Sequence, residues 1–315
     1  MELHHLRSFR EVVRARSFTA AAKRLFLTQP GVSQQVKALE TEVGERLLVR
    51  TGKDVRPTPA GEVLLEAAER ALSLLDDAVR RVREARESGQ GTVVVACGDT
   101  VALYLLPPVL EEFRARFPKA DVSVRNHGTR EILDLVLAGD ADLGVATEPD
   151  EIDPALESAP LLEEDLVLAL PLSHRLAASG ATALADLEGE SAVLLARTAV
   201  TRARIDAGLA AAKVRLVPVM ESGNLEVVKA YVARGFGLSI LPAMAVTEED
   251  RRRMAVHPLP GSFPRRRLVV LRRRDRWRSA LAKELTGLLA AHTRAHRPAG
   301  RGRRGKGSPP ASAGE

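Results

Sequence analysis

The sequence predicts an α/β protein in three parts: a small N-terminal helical domain with a β-wing, one long helix, and a body of alternating strands and helices. Three observations predict this order. Short apolar-periodic segments with capping residues come first, apolar residues then recur at 4-3 spacing after Pro59, and strand-like and helix-like runs alternate from Thr92 onward.

Composition restricts the class of protein. The chain has 315 residues, 45% of them hydrophobic, and no run of about 18 uncharged apolar residues that could span a membrane. The N-terminus carries charge throughout and lacks an apolar signal core, so we expect a cytoplasmic protein with no membrane partner. Cys97 is the only cysteine, which excludes an intramolecular disulfide and cysteine-rich zinc sites. His4 and His5 have no carboxylate or cysteine at metal spacing, and we expect neither a metal nor a cofactor.

The overall charge of +6 conceals a strong segregation along the chain. Residues 1–58 carry a net +5, residues 59–250 a net −14, and residues 251–278 a net +10. A basic N-terminal domain followed by an acidic body fits a nucleic-acid reader joined to a domain that avoids DNA. We interpret the arginine runs of the third segment as solvated faces or crossover surface rather than as a second DNA site; they lie at 251–253, 265–267 and 272–278.

Three helices are predicted in the N-terminal domain. Leu3 to Arg14 places apolar residues on one face, Ser17 can cap a helix over Phe18–Phe26, and Thr28 can cap the third helix, with Pro30 in its first turn. The third helix has an apolar stripe at i, i+4, i+7 and i+11, formed by Val32, Val36, Leu39 and Val43.

A basic wing follows the third helix, because Leu47–Val49 and Val55–Pro57 can form two short strands around a basic turn. A polar helix beside such a wing fits a DNA major groove, where Gln can pair with adenine and Ser and Lys can reach base edges or phosphate. An ordinary polar helix face is the alternative, but the helix spacing, the wing and the long helix that follows favour DNA binding. The candidate DNA contacts are Ser17, Thr19, Thr28, Gln29, Pro30, Ser33, Gln34, Lys37, Arg50 and Lys53.

Pro59 starts a long helix that reaches about residue 87, and a hinge at 88–91 follows it. Its apolar residues have coiled-coil-like spacing over roughly 40 Å. Because a helix of this length needs a partner surface in water, we expect it to pair with a second copy of the chain, which would hold two DNA half-sites at fixed spacing. The alternative is that this helix packs against the α/β body of its own chain. The seam comprises Leu64, Ala68, Ala71, Leu75, Ala78 and Val82, with Leu65, Leu72 and Val79 alongside.

The alternating body predicts parallel sheets with helices on both faces. The last strand and helix can return to the first sheet, which gives lobe I from 92–163 and 266–293 and lobe II from 164–265. The basic, low-complexity tail over 294–315 is expected to be disordered. The predicted strands are Thr92–Cys97, Asp121–Arg125, Leu143–Ala146, Leu166–Leu170, Ala192–Leu195, Arg215–Met220, Gly237–Leu241 and Leu268–Leu271, and the predicted helices are Thr100–Phe117, Thr129–Ala138, Val200–Ala212, Leu225–Arg234 and Ser279–His292.

Polar side chains recur in this body where predicted strands end and helices begin. In open α/β sheets the ligand crevice lies at the carboxyl ends of the strands, and helix N-termini there offer free N–H groups to carboxylate, sulfate or phosphate. Each residue alone could be only a helix cap. Their joint position favours a small anionic effector between the lobes, near Cys97, which we interpret as a buried and inert thiol. The candidate ligand contacts are Asp99, Thr100, Thr129, Thr147, Thr201, Ser222 and Asn224.

The sequence argues against an enzyme, because it has no nucleophile–base–orienter arrangement, glycine-rich phosphate loop or metal motif. The rival to a DNA-binding regulator is a cytoplasmic small-molecule-binding protein without sequence-specific DNA function, whose N-terminal helices serve only assembly. A salt-dependent, sequence-specific DNA shift would separate the two.

Over roughly residues 2–292 the chain resembles the LysR-type transcriptional regulators. The resemblance implies a winged helix-turn-helix over 1–58, a dimerising linker over 59–91, and a two-lobed co-inducer domain over 92–293 of the type 2 periplasmic-binding form. It also implies double-stranded operator DNA as partner, a homodimer or homotetramer, and RNA polymerase as a candidate contact. The strongest motifs are Ser17-Phe18-Thr19-Ala20-Ala21-Ala22, Gln29-Pro30 with Ser33, Leu39-Glu40 and Pro59-Ala60-Gly61, and the weaker ones are His127-Gly128-Thr129, Ala141-Asp142-Leu143-Gly144 and Gly235-Phe236-Gly237-Leu238.

Overall fold

The computed structural model describes residues 1–51, 54–86, 89–179 and 183–295. The chain follows the predicted order of a helical domain with a wing, a long helix and an α/β body. Within the described ranges, no helix is both long enough and apolar enough to cross a membrane. The N-terminal elements are α1 (Leu3–Ala15), α2 (Phe18–Leu25), α3 (Gln29–Val43), β1 (Leu48–Thr51), β2 (Asp54–Pro57) and α4 (Pro59–Arg86).

Side-chain caps start α2 and α3, as predicted. The Ser17 hydroxyl accepts a hydrogen bond from the Ala20 N–H at 3.3 Å, and the Thr28 hydroxyl accepts one from the Gly31 N–H at 3.3 Å. Each cap satisfies an N–H group that has no partner inside its helix. The turn between the two helices is therefore fixed at both ends by short-range hydrogen bonds.

The N-terminal core forms where α1, α2, α3 and the wing meet, around the fully buried Phe9. Three positions of the predicted α3 stripe, Val32, Val36 and Leu39, are buried in this core. The fourth position is a correction, because Val43 in the last turn of α3 is 37% exposed.

The wing is tied to the helices on either side of it. The Glu40 carboxylate accepts a hydrogen bond from the Leu47 N–H at 2.9 Å, and the Thr58 hydroxyl donates to the Arg46 carbonyl at 2.6 Å. A Cβ at Gly61 would lie 2.1 Å from the Leu47 carbonyl oxygen. Only glycine therefore allows the first turn of α4 to approach the wing this closely.

The long helix α4 has two different halves. Ala68 and Leu72 are 2% and 1% exposed and pack into the core of their own N-terminal domain. Leu75 and Val82, further along the same seam, are 40% and 62% exposed. The prediction of one continuous intermolecular seam is therefore wrong for the first half, because α1 and the wing already cover it. Among the described side chains of the second half, Leu74, Leu75, Val79 and Val82 are 40–65% exposed.

Lobe I is a five-stranded sheet in the order β4-β3-β5-β12-β6. One apolar core lies under α5 and α10, and another lies under α6. Its elements are β3 (Gly91–Cys97), a π-helical turn (Val101–Leu105), α5 (Leu106–Arg116), β4 (Ala120–Asn126), α6 (Thr129–Leu137), β5 (Leu143–Thr147), β6 (Leu156–Glu164), β12 (Arg266–Arg273) and α10 (Ala280–Ala295).

Lobe II combines a three-stranded sheet in the order β10-β7-β11 with a parallel pair, β8-β9. A bridge between Ala192 and Leu238 joins the two parts, and both residues belong to one buried apolar core. Its elements are β7 (Leu166–Pro171), β8 (Ser191–Leu195), α7 (Val200–Ala211), β9 (Val217–Ser222), α8 (Leu225–Val232), β10 (Ser239–Pro242), α9 (Glu248–Arg253) and β11 (Met254–Pro258), with short 3₁₀ turns at Leu184–Leu187 and Ala243–Ala245.

The prediction of parallel sheets is corrected, because the lobe I sheet is mixed and the three-stranded sheet of lobe II is antiparallel, whereas β8 and β9 pair in parallel. β12 runs antiparallel to both β5 and β6, and β7 pairs antiparallel with β10 and β11. Neither β6 nor β11 is among the predicted strands. Both are edge strands of their sheets. The direction of a strand depends on where the chain re-enters the sheet, and the local periodicity of apolar residues carries no information about that.

Two further boundaries differ from prediction. The helix expected over Thr100–Phe117 is a π-helical turn followed by α5. The last helix continues to Ala295, so Arg294 belongs to α10 and not to a tail. The rest of the predicted disordered tail, 296–315, lies outside the described residues. So do position 87, the last of the predicted long helix, and position 88, the first of the predicted hinge.

Candidate functional site

A cavity of about 290 Å³ lies between the two lobes. Lobe I contributes the loops after the carboxyl ends of β3, β4 and β5, and lobe II contributes the end of β8 and the N-terminus of α7. Open α/β sheets bind ligands in this position. The polar side chains in the lining are Asp99, Thr100, Asn126, His127, Thr129, Thr147, Thr198, Thr201 and Arg266.

Arg266 is the most constrained of these side chains, with 4% of its surface exposed. Its Nε donates to Thr147 Oγ1 at 2.9 Å, its Nη2 donates to Thr100 Oγ1 at 2.7 Å, and its Nη1 donates to Glu164 Oε1 at 3.0 Å. These bonds use all three guanidinium nitrogens and fix two threonines at the mouths of β3 and β5. Arg266 therefore organises the lobe I wall of the cavity.

The burial of Arg266 corrects, for this residue, the interpretation of the arginine runs as solvated faces or crossover surface. Arg266 lies two residues before Leu268 at the start of β12, and the continuous buried run from Leu268 to Leu271 marks a strand covered on both faces, which is the sequence signal for the burial of Arg266. Arg273 is also buried, at 7% exposure. Its Nη1 donates to the Leu137 carbonyl at 3.1 Å.

The Arg266–Glu164 ion pair joins the two crossovers between the lobes. Glu164 ends β6, where the chain leaves lobe I, and Arg266 begins β12, where it returns. Burial raises the pKa of the Glu164 carboxyl, while the nearby Arg266 guanidinium opposes that rise. Each charge of this buried pair needs the other to offset its desolvation.

Five of the seven predicted ligand contacts line the cavity. Asp99 and Thr100 follow β3, Thr129 opens α6, Thr147 ends β5, and Thr201 lies in the first turn of α7. Thr147 and Thr201 come from opposite lobes, and their hydroxyl oxygens are 3.4 Å apart. The structure therefore brings together polar residues that lie more than 100 positions apart in sequence.

The other two predicted contacts are corrected, because the cavity is lined by Gly223 and Leu225 and not by Ser222 or Asn224. The Ser222 hydroxyl accepts a hydrogen bond from the Asn224 N–H at 3.2 Å. The Asn224 side-chain oxygen accepts one from the Glu226 N–H at 2.9 Å and so caps α8. The geometry therefore shows a helix cap for Asn224 and a local turn contact for Ser222.

Two helices begin at the cavity with no side chain bonded to the N–H groups of their first turns, although the Glu131 carboxylate of α6 accepts a hydrogen bond from the preceding Gly128 N–H at 3.2 Å. Gly128 and Ala199 are the residues before the first turns of α6 and α7, and neither has a side-chain oxygen. Thr129 and Thr201 lie inside these first turns, so the alternative that they act only as helix caps is wrong. Uncapped first turns offer N–H groups and the positive end of the helix dipole to an anion.

A second candidate surface lies at the other end of the chain, where α3 presents a polar face beside the wing. Gln29, Gln34 and Lys37 are exposed on it, and Ser33 is half-buried. A groove of about 800 Å³ runs between α3 and the wing, with Ser33 and Lys37 on its helical side. This concave polar surface has the arrangement that the sequence analysis assigns to DNA contact.

The remaining predicted DNA residues differ in position. Thr19, Thr28 and Pro30 are exposed near the turn between α2 and α3, while Ser17 is half-buried and its hydroxyl caps α2. Lys53 lies outside the described residues. The structure describes Arg50 as part of β1 but does not describe its side chain.

Comparison with known proteins finds one family match over the N-terminal helical domain and another over the α/β body. Residues 3–62 match the family described as "bacterial regulatory helix-turn-helix protein, lysR family", and residues 86–294 match the "LysR substrate binding domain". The chain belongs to the LysR family of transcriptional regulators. Its α/β body is the substrate-binding domain of that family.

Individual LysR-family proteins resemble the chain over most of their length. The transcriptional regulator CysB from Burkholderia cenocepacia is 31% identical over 265 residues, which cover 84% of this chain and 85% of that protein. Full-length OxyR from Pseudomonas aeruginosa superposes with a TM-score of 0.69 at 25% identity, covering 93% of this chain and 95% of OxyR. Full-length CbnR in complex with its target DNA superposes with a TM-score of 0.63 at 26% identity, covering 93% of this chain and 100% of CbnR.

In this LysR-family protein a second polar cluster joins the lobes beside the cavity. Tyr104 of lobe I donates to Glu226 of lobe II and accepts a hydrogen bond from Lys229 Nζ at 2.8 Å. Lys229 also donates to Asp250 at 2.7 Å. Burial acts to lower the pKa of Lys229, but its hydrogen bonds to Asp250, Tyr104 and Glu226 outweigh burial and raise it. Tyr104 therefore joins lobe I to an ion-paired cluster of lobe II that consists of Lys229, Glu226 and Asp250.

Metal and thiol chemistry are not supported at the cavity. The described part of the LysR-family chain has no group of His, Cys, Asp and Glu side chains that could hold a metal ion. Cys97 ends β3 and is buried, as predicted. Burial raises the pKa of its thiol to about 12, and the negative charge of Asp99 acts in the same direction. The thiol is therefore protonated at neutral pH.

Proposed function

We propose that this LysR-family regulator binds operator DNA as a homo-oligomer, and that a small anionic effector in the interlobe cavity sets the geometry of DNA binding. The observation that carries the proposal is the pairing of an exposed polar helix beside a wing with a polar cavity whose walls come from two lobes. An effector that bridges the lobes acts through its different affinity for their arrangements.

In the DNA-binding part, residues 1–58, α3 enters the major groove and the wing contacts phosphate. Gln34 and Lys37 are exposed in its middle turns, and Gln29 is exposed at its N-terminus. Amide side chains supply base-edge contacts and Lys supplies phosphate contacts. The predicted wing contacts are Arg50 and Lys53. The complex of the related CbnR with its target DNA supports this assignment.

Residues 59–91 form the dimerising linker. Leu74, Leu75 and Val82 are 65%, 40% and 62% exposed on α4, and a second copy of the helix is a partner with matching shape. Two paired DNA-binding domains would present their α3 helices to two half-sites of a pseudo-palindromic operator. Further pairing to a tetramer and contact with RNA polymerase belong to the same proposal and rest on the family.

Residues 92–293 bind the effector, with Thr100, Thr129, Thr147 and Thr201 as the proposed contacts. Two helix starts, one from each lobe, face the same cavity, and the N–H groups of their first turns favour an anionic group. Arg266 holds Thr100 and Thr147 in place rather than presenting a free charge. An anion bound here would link α6 of lobe I to α7 of lobe II.

We infer further that the chain has no catalytic activity and works where its operator lies, in the bacterial cytoplasm. Its family consists of transcriptional regulators. The cavity lining shows hydroxyls, an amide, an imidazole, a saturated arginine and one carboxylate, and no hydroxyl of this lining is hydrogen-bonded to His127 or to Asp99 as a nucleophile is to its base.

The experiment is a gel-shift titration of the full chain against the DNA upstream of its own gene, at two salt concentrations and with a scrambled duplex as competitor. We expect a shift that survives the competitor and weakens with salt. A shift that the scrambled duplex removes equally well would reject sequence-specific DNA binding and leave only a small-molecule-binding protein.

A further inference from the structure

Asp99 is a carboxylate without a counter-ion in the interlobe cavity. It follows β3, is half-buried, and faces the cavity beside Thr100. Over the described ranges, its side chain takes part in no hydrogen bond or ion pair with another residue. An ionised carboxylate that is partly withdrawn from water without a partner is unfavourable, and a ligand can supply that partner.

The other ionisable side chains of the lining do not neutralise Asp99. Arg266 donates from all three nitrogens to Thr100, Thr147 and Glu164, and Glu164 balances its charge. His127 lies with its Nδ1 3.4 Å from the Glu131 carboxylate. The lobe II side of the lining contributes apolar and hydroxyl side chains only. The lobe I wall therefore carries one uncompensated negative charge.

The carboxylate of Asp99 also acts on a neighbouring buried group. The buried thiol of Cys97 is two residues away, and the negative charge of Asp99 adds to burial in raising the pKa of that thiol. The cavity thus has a negative point at the end of β3 and, at the starts of α6 and α7, backbone groups that favour an anion. A ligand that contacts both the Asp99 carboxylate and the two helix starts needs one positive and one negative group.

We infer that the effector is a small amino acid or another acid that bears a protonated amine, with its ammonium group on Asp99 and its acidic group at the first turns of α6 and α7. This inference rests on the proposed effector cavity and adds the amine to it. A hydroxyl would give Asp99 a hydrogen bond but no charge compensation, whereas an ammonium gives both. The cavity volume of about 290 Å³ limits this class to small molecules.

The test is calorimetric titration of the full chain with matched acids that differ only in the amine. The probes are L-alanine and propionate, L-aspartate and succinate, and L-glutamate and glutarate. Each is titrated against the wild type, against Asp99→Asn, and against Asp121→Asn. Asp121 is an exposed carboxylate at the start of β4, at the opposite end of the lobe I sheet from the cavity, so its variant makes the same charge change as a control.

We expect at least one amine-bearing acid to bind the wild type about 10- to 100-fold more tightly than its amine-free partner, the range for one charge-assisted hydrogen bond. Asp99→Asn should remove this preference and Asp121→Asn should keep it. Equal or tighter binding of the amine-free acids would overturn the inference while leaving the anion cavity intact. An amine preference that persists in Asp99→Asn would overturn the role of Asp99. Binding of no acid at all would reject both the inference and the anionic effector.

Discussion

The Arg14 guanidinium donates to the Asp140 carboxylate at 2.5 Å, and this contact joins the DNA-binding domain to lobe I of the same chain. Arg14 also donates to Glu69 of α4 at 3.0 Å. Asp140 lies in the turn after α6, while Thr129 at the other end of that helix lines the interlobe cavity. One short helix therefore spans the distance, about 13 Å, between the cavity and the contact with α1.

The Arg14–Asp140 contact should have a measurable interaction energy. We expect a double-mutant cycle with Arg14→Ala and Asp140→Ala, measured by urea unfolding, to give a coupling of about 1 kcal/mol, because both side chains are less than one-third exposed. Asp134 is an exposed carboxylate on α6 and serves as the control partner. Additive effects in the Asp140 cycle would show that the two domains are energetically independent at this contact.

Replacing Arg266 by Met should destabilise the protein by about 3–5 kcal/mol, because Glu164 would remain buried without its counter-charge. Burial already raises the pKa of Glu164, and the loss of Arg266 raises it further. The folded variant then binds a proton that the unfolded chain has released, so its stability falls as pH rises from the ordinary carboxyl pKa through the raised one. The deficit against wild type should be smaller at about pH 5 than at about pH 8.

The matched control for this prediction is the double variant Arg266→Met, Glu164→Met, which removes both charges. Urea unfolding should show that it recovers much of the stability and has lost the added pH dependence. A deficit that is the same at both pH values would contradict the role of Glu164.

The two halves of α4 should respond differently to a charge. Leu75→Glu should leave the fold intact and yield monomers in sedimentation analysis, because Leu75 is 40% exposed on the uncovered half. Leu72→Glu should instead lower the unfolding free energy by about 3 kcal/mol or more, because Leu72 is 1% exposed in the N-terminal core. An intact dimer of the folded Leu75 variant would reject this helix as the dimer interface.

Adjacent glutamines on α3 should have separate roles. Gln34 is exposed, and Gln34→Ala should weaken specific operator binding by about 1–3 kcal/mol while sparing non-specific binding. Gln35 accepts a hydrogen bond from the buried Ser8, so Gln35→Ala should lower stability by about 1 kcal/mol. Gel-shift titration and thermal unfolding of both variants distinguish the roles, and unchanged operator affinity of the Gln34 variant would remove it from the contact surface.

Two glycines in helices should give opposite results when replaced by alanine. At Gly61 the new Cβ would lie 2.1 Å from the Leu47 carbonyl oxygen, so Gly61→Ala should separate α4 from the wing and lower the unfolding temperature. At Gly287, inside α10, the new Cβ meets no atom within 4 Å, and Gly287→Ala should stabilise the protein by about 0.5–1 kcal/mol. Equal effects of the two changes in thermal unfolding would contradict the close approach at Gly61.

Much of the fold follows from local sequence signals. Ser17 and Thr28 cap the helices that they are predicted to cap, and α6 and α8 begin where they are predicted to begin. Capping, apolar periodicity and glycine geometry act within a few residues, so the sequence shows them directly. The predictions fail where the direction of a strand, or the segment that covers an apolar face, has to be known. The antiparallel return of β12, the edge strand β6 and the covered half of α4 all depend on segments far away in the chain.

The same division holds for the candidate sites. The sequence by itself determined the polar α3 face and the strand ends that hold Asp99, Thr100, Thr129, Thr147 and Thr201, because these positions follow from local periodicity. Only the tertiary structure showed that the Asn224 side chain caps α8, that Ser222 bonds to the Asn224 backbone, and that Arg266 is buried against Glu164. Each of these outcomes depends on which side chains from distant segments come into contact, and on whether a buried charge lies beside an opposite charge. These contacts exist only in the folded chain.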